Sequence, residues 1–397
     1  MHNELLDRLT EFPFRRLAAT LAGVPTPAGL QPLDLGLGEP QHQPPPLLAE
    51  TVTRNAHLWN RYPPVNGSAE NRAACADWLT RRYALPEGSV DPERHILPLA
   101  GTKEGLFMLP SVVVPGRKAG QQPAVLMPNP VYNVYYGGAV LARAEPVLLP
   151  ATAETAFLPD LEALDEALLA RTALMYLCTP ANPQGAAADA DYLRRAVRLA
   201  RRHGFLLVVD ECYAEIWDRE PPPGALSAAL AEDGSFANLV VMHSLSKRSN
   251  AAGLRSGFCA GDPEVLRRFF KLRAYAAPVQ PLPLLAAATA LWRDEAHVEA
   301  NRALYRRKFD IAERRLSNRF GFFRPAGGFF LWLDVGDGED AAVRLWREAA
   351  LRVLPGGYLG AEAADGGNPG ARYIRLALVH DEAVVGQAVD RLLEVLG

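Results

Sequence analysis

RRHGFLLVVDECY, residues 201–213, reads as the end of one helix, a stop, a buried strand and a reactive turn. Upstream, Asp191–His203 places Leu193, Val197 and Leu199 on one helical stripe. Gly204 then supplies the left-handed residue on which helices commonly end. Phe205–Val209 is continuously apolar and too short for a helix, the pattern of a strand covered on both faces. Asp210 follows at the carboxyl end of that strand.

The same alternation extends in both directions. Short apolar runs occupy 124–130, 173–183, 238–244 and 255–262, and helix-period segments such as Asp160–Ala170 separate them. Apolar strands joined by helical crossovers predict an α/β fold, with a mainly parallel sheet flanked by helices over roughly 50–275. Beyond it lie an Arg-rich helical region at 284–319 interrupted by DEAH, and a Pro/Gly break at Arg324–Gly328. FFLWLDV (329–335), a helix around 340–352, a Gly/Pro-rich loop (354–370), the strand RYIRLALV (372–379) and a final helix follow. This predicts a large domain over 46–283 and a smaller α+β domain over 284–397. The opening segment, 1–45, is too short to fold alone and is expected to pack on the small domain.

Composition excludes several classes of function. A net charge of −3 over 397 residues leaves no basic footprint for nucleic acid. The four cysteines are far apart and form neither a CxxC nor a disulfide framework, so no metal site is signalled and a reducing, cytoplasmic setting is expected. MHNELLDRLTEFPFRRL lacks a signal-peptide core, and no stretch has the length and apolarity of a membrane span.

In doubly wound sheets ligands bind beyond the carboxyl ends of the strands. Those ends deliver Asn129–Tyr132, Asn182, Asp210 with Tyr213, and Ser244–Lys247 to one rim. Asp210 there must either cap a helix, pair with a buried cation, or face a pyridinium nitrogen. Of the five lysines, Lys118, Lys271 and Lys308 sit in polar contexts and read as solvated. Lys103, in GTKEGLF (101–107), is equally readable as an exposed helix charge or an anion ligand. Lys247 follows a buried strand among small hydroxyl residues, where desolvation would expose a nucleophilic amine. Arg255 returns to the same rim, and with Thr102, Ser244 and the amides of the 101–103 turn it would suit a phosphate. Together these groups match a phosphorylated aromatic aldehyde.

At this point the chain resembles the class I/II aminotransferases of the fold-type I pyridoxal-phosphate enzymes. LGEP (37–40), RYPPVNGSAENR (61–72), GTKEGLF, NPVYNVY (129–135), TPANPQG (179–185), VVDECYAEI (208–216), SLSKRSNAAGLRSG (244–257) and YIRLAL (373–378) carry the resemblance nearly end to end. It implies pyridoxal 5'-phosphate as cofactor, with Lys247 as the Schiff-base lysine and proton carrier and Asp210 at the pyridine nitrogen. Asn182 and Tyr213 would bond the ring's phenolic oxygen, and Tyr132 would stack on the ring. Thr102, Lys103, Ser244 and Arg255 would hold the phosphate, joined by Tyr62 from a partner subunit in a homodimer with shared sites. Arg375, helped by the Gly38 backbone and Asn182, would clamp the substrate α-carboxylate.

Within the class the chain is most similar to the succinyldiaminopimelate aminotransferases of bacterial lysine biosynthesis. The segments responsible are LLDRLTEFPFRRLAATLAGV (5–24), Lys-Arg-Ser-Asn (247–250), PGGYLG (355–360) and GNPGARYIRLALV (367–379). Gln41 and Gln43 depart from that subgroup's Lys and Pro. The resemblance implies amino transfer between glutamate and N-succinyl-2-amino-6-oxopimelate. A broad-specificity aspartate or aromatic aminotransferase, and a carbon–sulfur lyase, stay open as alternatives. An acidic substrate asks for distal cations, for which Arg248, Arg15, Arg16 and Arg61 are candidates.

Overall fold

The computed structural model describes residues 2–276, 279–362 and 366–397; residues 363–365 of the predicted Gly/Pro loop lie outside them. Seven strands form the central sheet: β1 Ile96–Leu99, β2 Ala124–Asn129, β3 Glu145–Pro150, β4 Thr172–Cys178, β5 Leu206–Asp210, β6 Leu239–Ser244 and β7 Gly257–Gly261. Their order is β1-β7-β6-β5-β4-β2-β3. β2 to β6 pair in parallel, and β7 is antiparallel to both its neighbours. Alternation along β5 sends Leu207 and Val209 into the core on one face, with Trp78, Leu193 and Phe258, and Val208 into the core on the other, with Leu106 and Met242.

β1 and β3 are absent from the sequence reading, and the reason is the same for both. Each lies at an edge of the sheet. Each also carries proline, Pro98 in β1 and Pro146 and Pro150 in β3, which an edge strand tolerates but which breaks the apolar run. The helix expected over Asp160–Ala170 shrinks to Glu166–Arg171. The Asp160 carboxylate instead accepts the Glu162 amide at 3.0 Å, a local turn that competes with helix. Asp165 caps the surviving helix through the Leu168 amide at 2.8 Å. The crossover helix forms as Ala190–His203 and ends on Gly204, but its buried stripe is Leu193, Ala196, Val197 and Ala200; Leu199 is only partly buried.

The region at 284–319 forms two helices, Leu282–Arg293 and Ala296–Leu316. Phe330–Asp334 and Tyr373–Ala377 pair antiparallel, with Leu354–Pro355 alongside, and pack over a separate apolar core. Two stretches of the opening segment contact these elements. Leu33–Asp34 pairs with Leu351–Arg352, and Leu17 and Leu21 of the helix Pro13–Leu21 pack on Leu354 and Tyr358. Its first turn goes elsewhere: Glu4–Arg8 packs on the helix Asn133–Leu141, and Asn133 Nδ2 donates to Thr10 Oγ1 at 3.0 Å.

Three cations are placed differently from expectation. Lys118 is half-buried and donates to the carbonyls of Thr172, His203 and Gly204, closing the ends of a strand and a helix. Lys308 is fully buried on the helix Ala296–Leu316. Arg248 is buried as well, donating to the Leu291 carbonyl at 2.7 Å and pairing with Glu295 at 2.7 Å. It therefore braces the core behind the sheet and is no substrate cation. Lys271 is exposed, as read.

Candidate active site

The strand ends and the C-terminal sheet enclose a cavity of about 350 Å³. Gly38, Thr102, Lys103, Tyr132, Asn182, Asp210, Tyr213, Ser244, Lys247, Arg255 and Arg375 all line it. Tyr62 does not: its side chain is wholly exposed. Arg15, Arg16, Arg61 and Arg248 are likewise outside the lining, and Arg16 stacks on Tyr358 while pairing with Glu339.

β5 explains the two faces of its terminal carboxylates. Asp210 points to the cavity, accepting from the Tyr135 hydroxyl at 2.8 Å and the Cys212 amide at 3.2 Å. Glu211 points to the opposite side, where Tyr83 donates to it at 2.9 Å, the Ala225 amide at 2.7 Å, and His243 lies 3.0 Å away. One carboxylate anchors the turn and leaves the other free to meet a ligand. Burial pushes the Asp210 carboxyl above its usual range, against the pull of its hydrogen bonds to Cys212 and Tyr135. No salt-bridging cation contacts Asp210 among the described residues. A cationic ring nitrogen in the cavity would satisfy it.

Lys247 sits in the short helix Leu245–Arg248, entered from β6 through Ser244, whose hydroxyl accepts the Ser246 amide at 3.1 Å. Its Nζ donates to the Gly38 carbonyl at 2.7 Å and lies 5.4 Å from the Phe329 ring. Burial lowers the amine to about 8. The cofactor-free protein is therefore expected to capture pyridoxal phosphate at a rate that climbs through about pH 8 and then levels, since the neutral amine is the nucleophile. Stopped-flow absorbance checks this; a rate still climbing towards 10.5, the ordinary lysine value, would contradict the buried amine.

Arg255 approaches the backbone where the helix Thr102–Val113 begins. Gly101 has φ +86°, and a Cβ there would lie 2.3 Å from Arg255 Nη2, so only glycine lets turn and guanidinium meet. The guanidinium, Lys103, the Ser244 and Thr102 hydroxyls and that helix N-terminus line one end of the cavity, where they would form a cradle for an anion. Opposite it, Arg375 is buried on its strand. It donates to Asn182 Oδ1 at 2.9 Å and to the Gly36 carbonyl at 2.7 Å, and its Nε has no partner. Desolvation lowers it to about 10, still cationic at neutral pH. A Cβ on Gly38 would lie 2.8 Å from the Phe330 ring, which itself packs 4.3 Å beneath the Arg375 guanidinium.

Sequence reasoning missed Tyr135 and Cys212. Tyr135 stacks on Tyr176 at 4.4 Å and orients Asp210; its spacing of three from Tyr132 in NPVYNVY was the available signal. Cys212 lines the cavity and meets Thr102 Oγ1 at 3.2 Å, and burial raises its thiol well above the usual value. The aromatic wall of Phe12, Phe14 and Phe330 was also unread.

Residues 31–392 match the family described as aminotransferase class I and II. The chain belongs to that family. Among curated relatives, a 4-dedimethylamino-4-oxo-anhydrotetracycline transaminase from Streptomyces rimosus is 33% identical, covering 96% of both chains. An LL-diaminopimelate aminotransferase from Desulforudis audaxviator is 32% identical, covering 93% of this chain and 91% of its own. Among solved structures, an aminotransferase from Neisseria meningitidis matches with TM-score 0.94 and 38% identity over 100% of both chains. A probable N-succinyldiaminopimelate aminotransferase from Thermus thermophilus matches with TM-score 0.84 and 26% identity, covering 97% of this chain and 100% of its own. The architecture is that of fold type I, and aminotransferases of this family depend on pyridoxal phosphate. The residues of this cavity fit that cofactor: an amine, a carboxylate without a cation, and an anion cradle face one space. No helix among the described residues is long and apolar enough to cross a membrane.

Proposed function

We propose that this aminotransferase moves an amino group between glutamate and N-succinyl-2-amino-6-oxopimelate, giving N-succinyl-LL-2,6-diaminopimelate and 2-oxoglutarate in cytoplasmic lysine and diaminopimelate biosynthesis. The observation that carries the amino-acid part is Arg375, a buried guanidinium held by Asn182 and Gly36 on the cavity shared with the Lys247 amine. The diaminopimelate part is supported by the Desulforudis and Thermus relatives and by the 247–250 and 355–379 segments.

In this reading pyridoxal phosphate supplies an aldehyde to join the substrate amine and a ring to accept its electron pair. Arg375 orients the α-carboxylate so that the Cα proton faces Lys247. The Lys247 amine would take that proton from Cα and deliver it to C4′ of the cofactor, acting as general base and then general acid. Asp210 would keep a proton at the ring nitrogen, Tyr213 and Asn182 would bond the phenolic oxygen, and Tyr132 would stack on the ring. Thr102, Lys103, Ser244 and Arg255 would hold the phosphate. Segment 1–45, a large domain over 46–283 and a small one over 284–397 would close around the substrate and exclude water.

The active form in this reading is a homodimer in which Tyr62 reaches the partner's phosphate site. Tyr62 is wholly exposed, which leaves its side chain available to a partner subunit. An active protein that sediments as a single chain would remove this part. A second reading, an aromatic amino acid as substrate, is favoured by the wall of Phe12, Phe14, Leu37, Phe330 and Leu359.

Visible absorbance of the holoenzyme with N-succinyldiaminopimelate, glutamate and phenylalanine in parallel separates the readings. Conversion of the cofactor band by the first two is the expected result. Conversion by glutamate and phenylalanine alone would move the assignment to the aromatic reading.

A further inference from the structure

Behind Lys247 lies a second cluster of titratable groups that the chemistry above does not use. Lys308 is 1% exposed, a rare condition for a lysine without a carboxylate partner. Its Nζ donates to the Leu378 carbonyl at 2.9 Å and meets His42 Nε2 at 2.7 Å. His42 Nδ1 meets Asn301 Oδ1 at 2.9 Å, and Asn250 Nδ2 donates to the same oxygen at 3.1 Å. Asn301 Nδ2 donates to the carbonyls of Lys247 at 3.3 Å and Arg248 at 3.4 Å.

Carbonyls only accept, and this fixes every direction in the chain. The Asn301 amide nitrogen faces the Lys247 and Arg248 oxygens, so its own oxygen receives the proton on His42 Nδ1. His42 Nε2 is then bare and accepts from Lys308. We propose that His42, Asn301 and Lys308 are positioning residues, a directional relay that sets where Gly38 and Arg375 stand relative to the Lys247 amine. The proposal rests on the roles given above to Lys247 and Arg375.

The relay ends on the three pieces that must meet around a substrate. His42 follows shortly after Gly38, whose carbonyl receives the Lys247 ammonium. Leu378 follows the strand that carries Arg375. Asn301 holds the Lys247 backbone itself. An aromatic stack runs parallel to the relay. Tyr305 lies 4.9 Å from the His42 ring and 4.7 Å from the Lys308 ammonium, and it stacks at 5.4 Å on Phe329, over which the Lys247 amine sits.

Protonation tunes the relay. Burial lowers Lys308 to about 7; Asp381 and Glu382 at the start of the last helix oppose this, and Arg307 adds to it. Burial also lowers His42, with Lys308 and Arg307 adding to the shift and the Asn301 bond opposing it. Arg307 is itself paired with Glu382 at 2.5 Å. At acid pH a second ring proton would turn His42 Nε2 into a donor facing a donor. As pH rises through about 7, Lys308 loses its charge and the bond to His42 loses its charge assistance. The relay is tightest between these limits, so substrate binding should weaken as pH rises through the upper one.

The test uses holoenzyme, with glutamate as the probe. In Lys308→Met the glutamate concentration for half-maximal conversion of the visible band should rise about tenfold, while the limiting rate stays within about threefold. The rise in that concentration above neutral pH in the parent should disappear in this variant. His42→Ala should weaken binding similarly, and the double variant should be no worse than Lys308→Met. With no substrate present, amide hydrogen exchange in segments 36–43 and 245–250 should accelerate together in both variants. Unchanged exchange in those segments, or a parent-like pH dependence in a folded Lys308→Met, would overturn the relay. Should glutamate fail to convert the parent enzyme, the fault lies with the substrate reading, and the exchange result alone decides the relay.

Discussion

Lys247→Ala is expected to leave a folded protein whose amino transfer has fallen by a factor on the order of 10⁴ or more, because in the proposed reading one side chain supplies both the covalent anchor and the proton carrier. The fold should survive for a reason legible in the lysine's own environment. Burial holds its amine near 8 against an ordinary 10.5, a penalty on the order of 3 kcal/mol on the charged form. The sign follows from linkage. With the folded value depressed, the penalty is fully present below about 8 and fades as pH rises towards 10.5. At neutral pH alanine removes that penalty along with the hydrogen bond to Gly38, so thermal melting of the cofactor-free variant should match or exceed that of the parent. Turnover within about tenfold of the parent would show that the amine is not the proton carrier.

The balance between a destabilising amine and its function also shows what sequence discloses. Asp210, Lys247, Asn182 and Ser244 were legible because each follows an apolar run, and a polar group at the end of a buried strand needs a partner. The central β4–β6 were legible for the same reason, each carrying a run of at least four consecutive apolar residues. The edge strands β1 and β3 were not, since an edge accepts proline and the apolar signal then breaks. Charged residues were the weakest part of the reading. Lys308, Arg248 and Lys118 have Arg-rich or turn-like neighbours in sequence, yet their partners are mainly backbone carbonyls brought by distant segments. A backbone carbonyl can satisfy a buried cation without leaving any trace in the residue code. Tyr62 shows the converse: its place in a motif was plain, but its exposed side chain has no ligand within its own chain.

Asp210→Asn should lower the limiting rate about 10³-fold while leaving the melting temperature and cofactor content close to those of the parent. The choice of asparagine isolates charge from geometry. Its carbonyl oxygen replaces one carboxylate oxygen as acceptor for the Tyr135 hydroxyl or the Cys212 amide, so the turn behind β5 keeps most of its bonding. Glu211, on the opposite face, continues to anchor that turn through Tyr83 and the Ala225 amide. What the amide lacks is the negative charge that, in the proposed reading, would keep a proton on a ring nitrogen; without it the ring would be a poorer acceptor for the electron pair left when Lys247 takes the Cα proton. Asp210→Ala loses the same charge and also strands the Tyr135 hydroxyl and the Cys212 amide in the core. It should therefore be less stable, by roughly 1–3 kcal/mol of lost hydrogen bonding, and melt at a lower temperature. Comparing the two separates the electrostatic role from the structural one: equal rate losses with unequal stabilities would place the whole catalytic effect in the charge. An asparagine variant within about tenfold of the parent would mean that the carboxylate serves only to hold Tyr135, and that the ring nitrogen is protonated by another group.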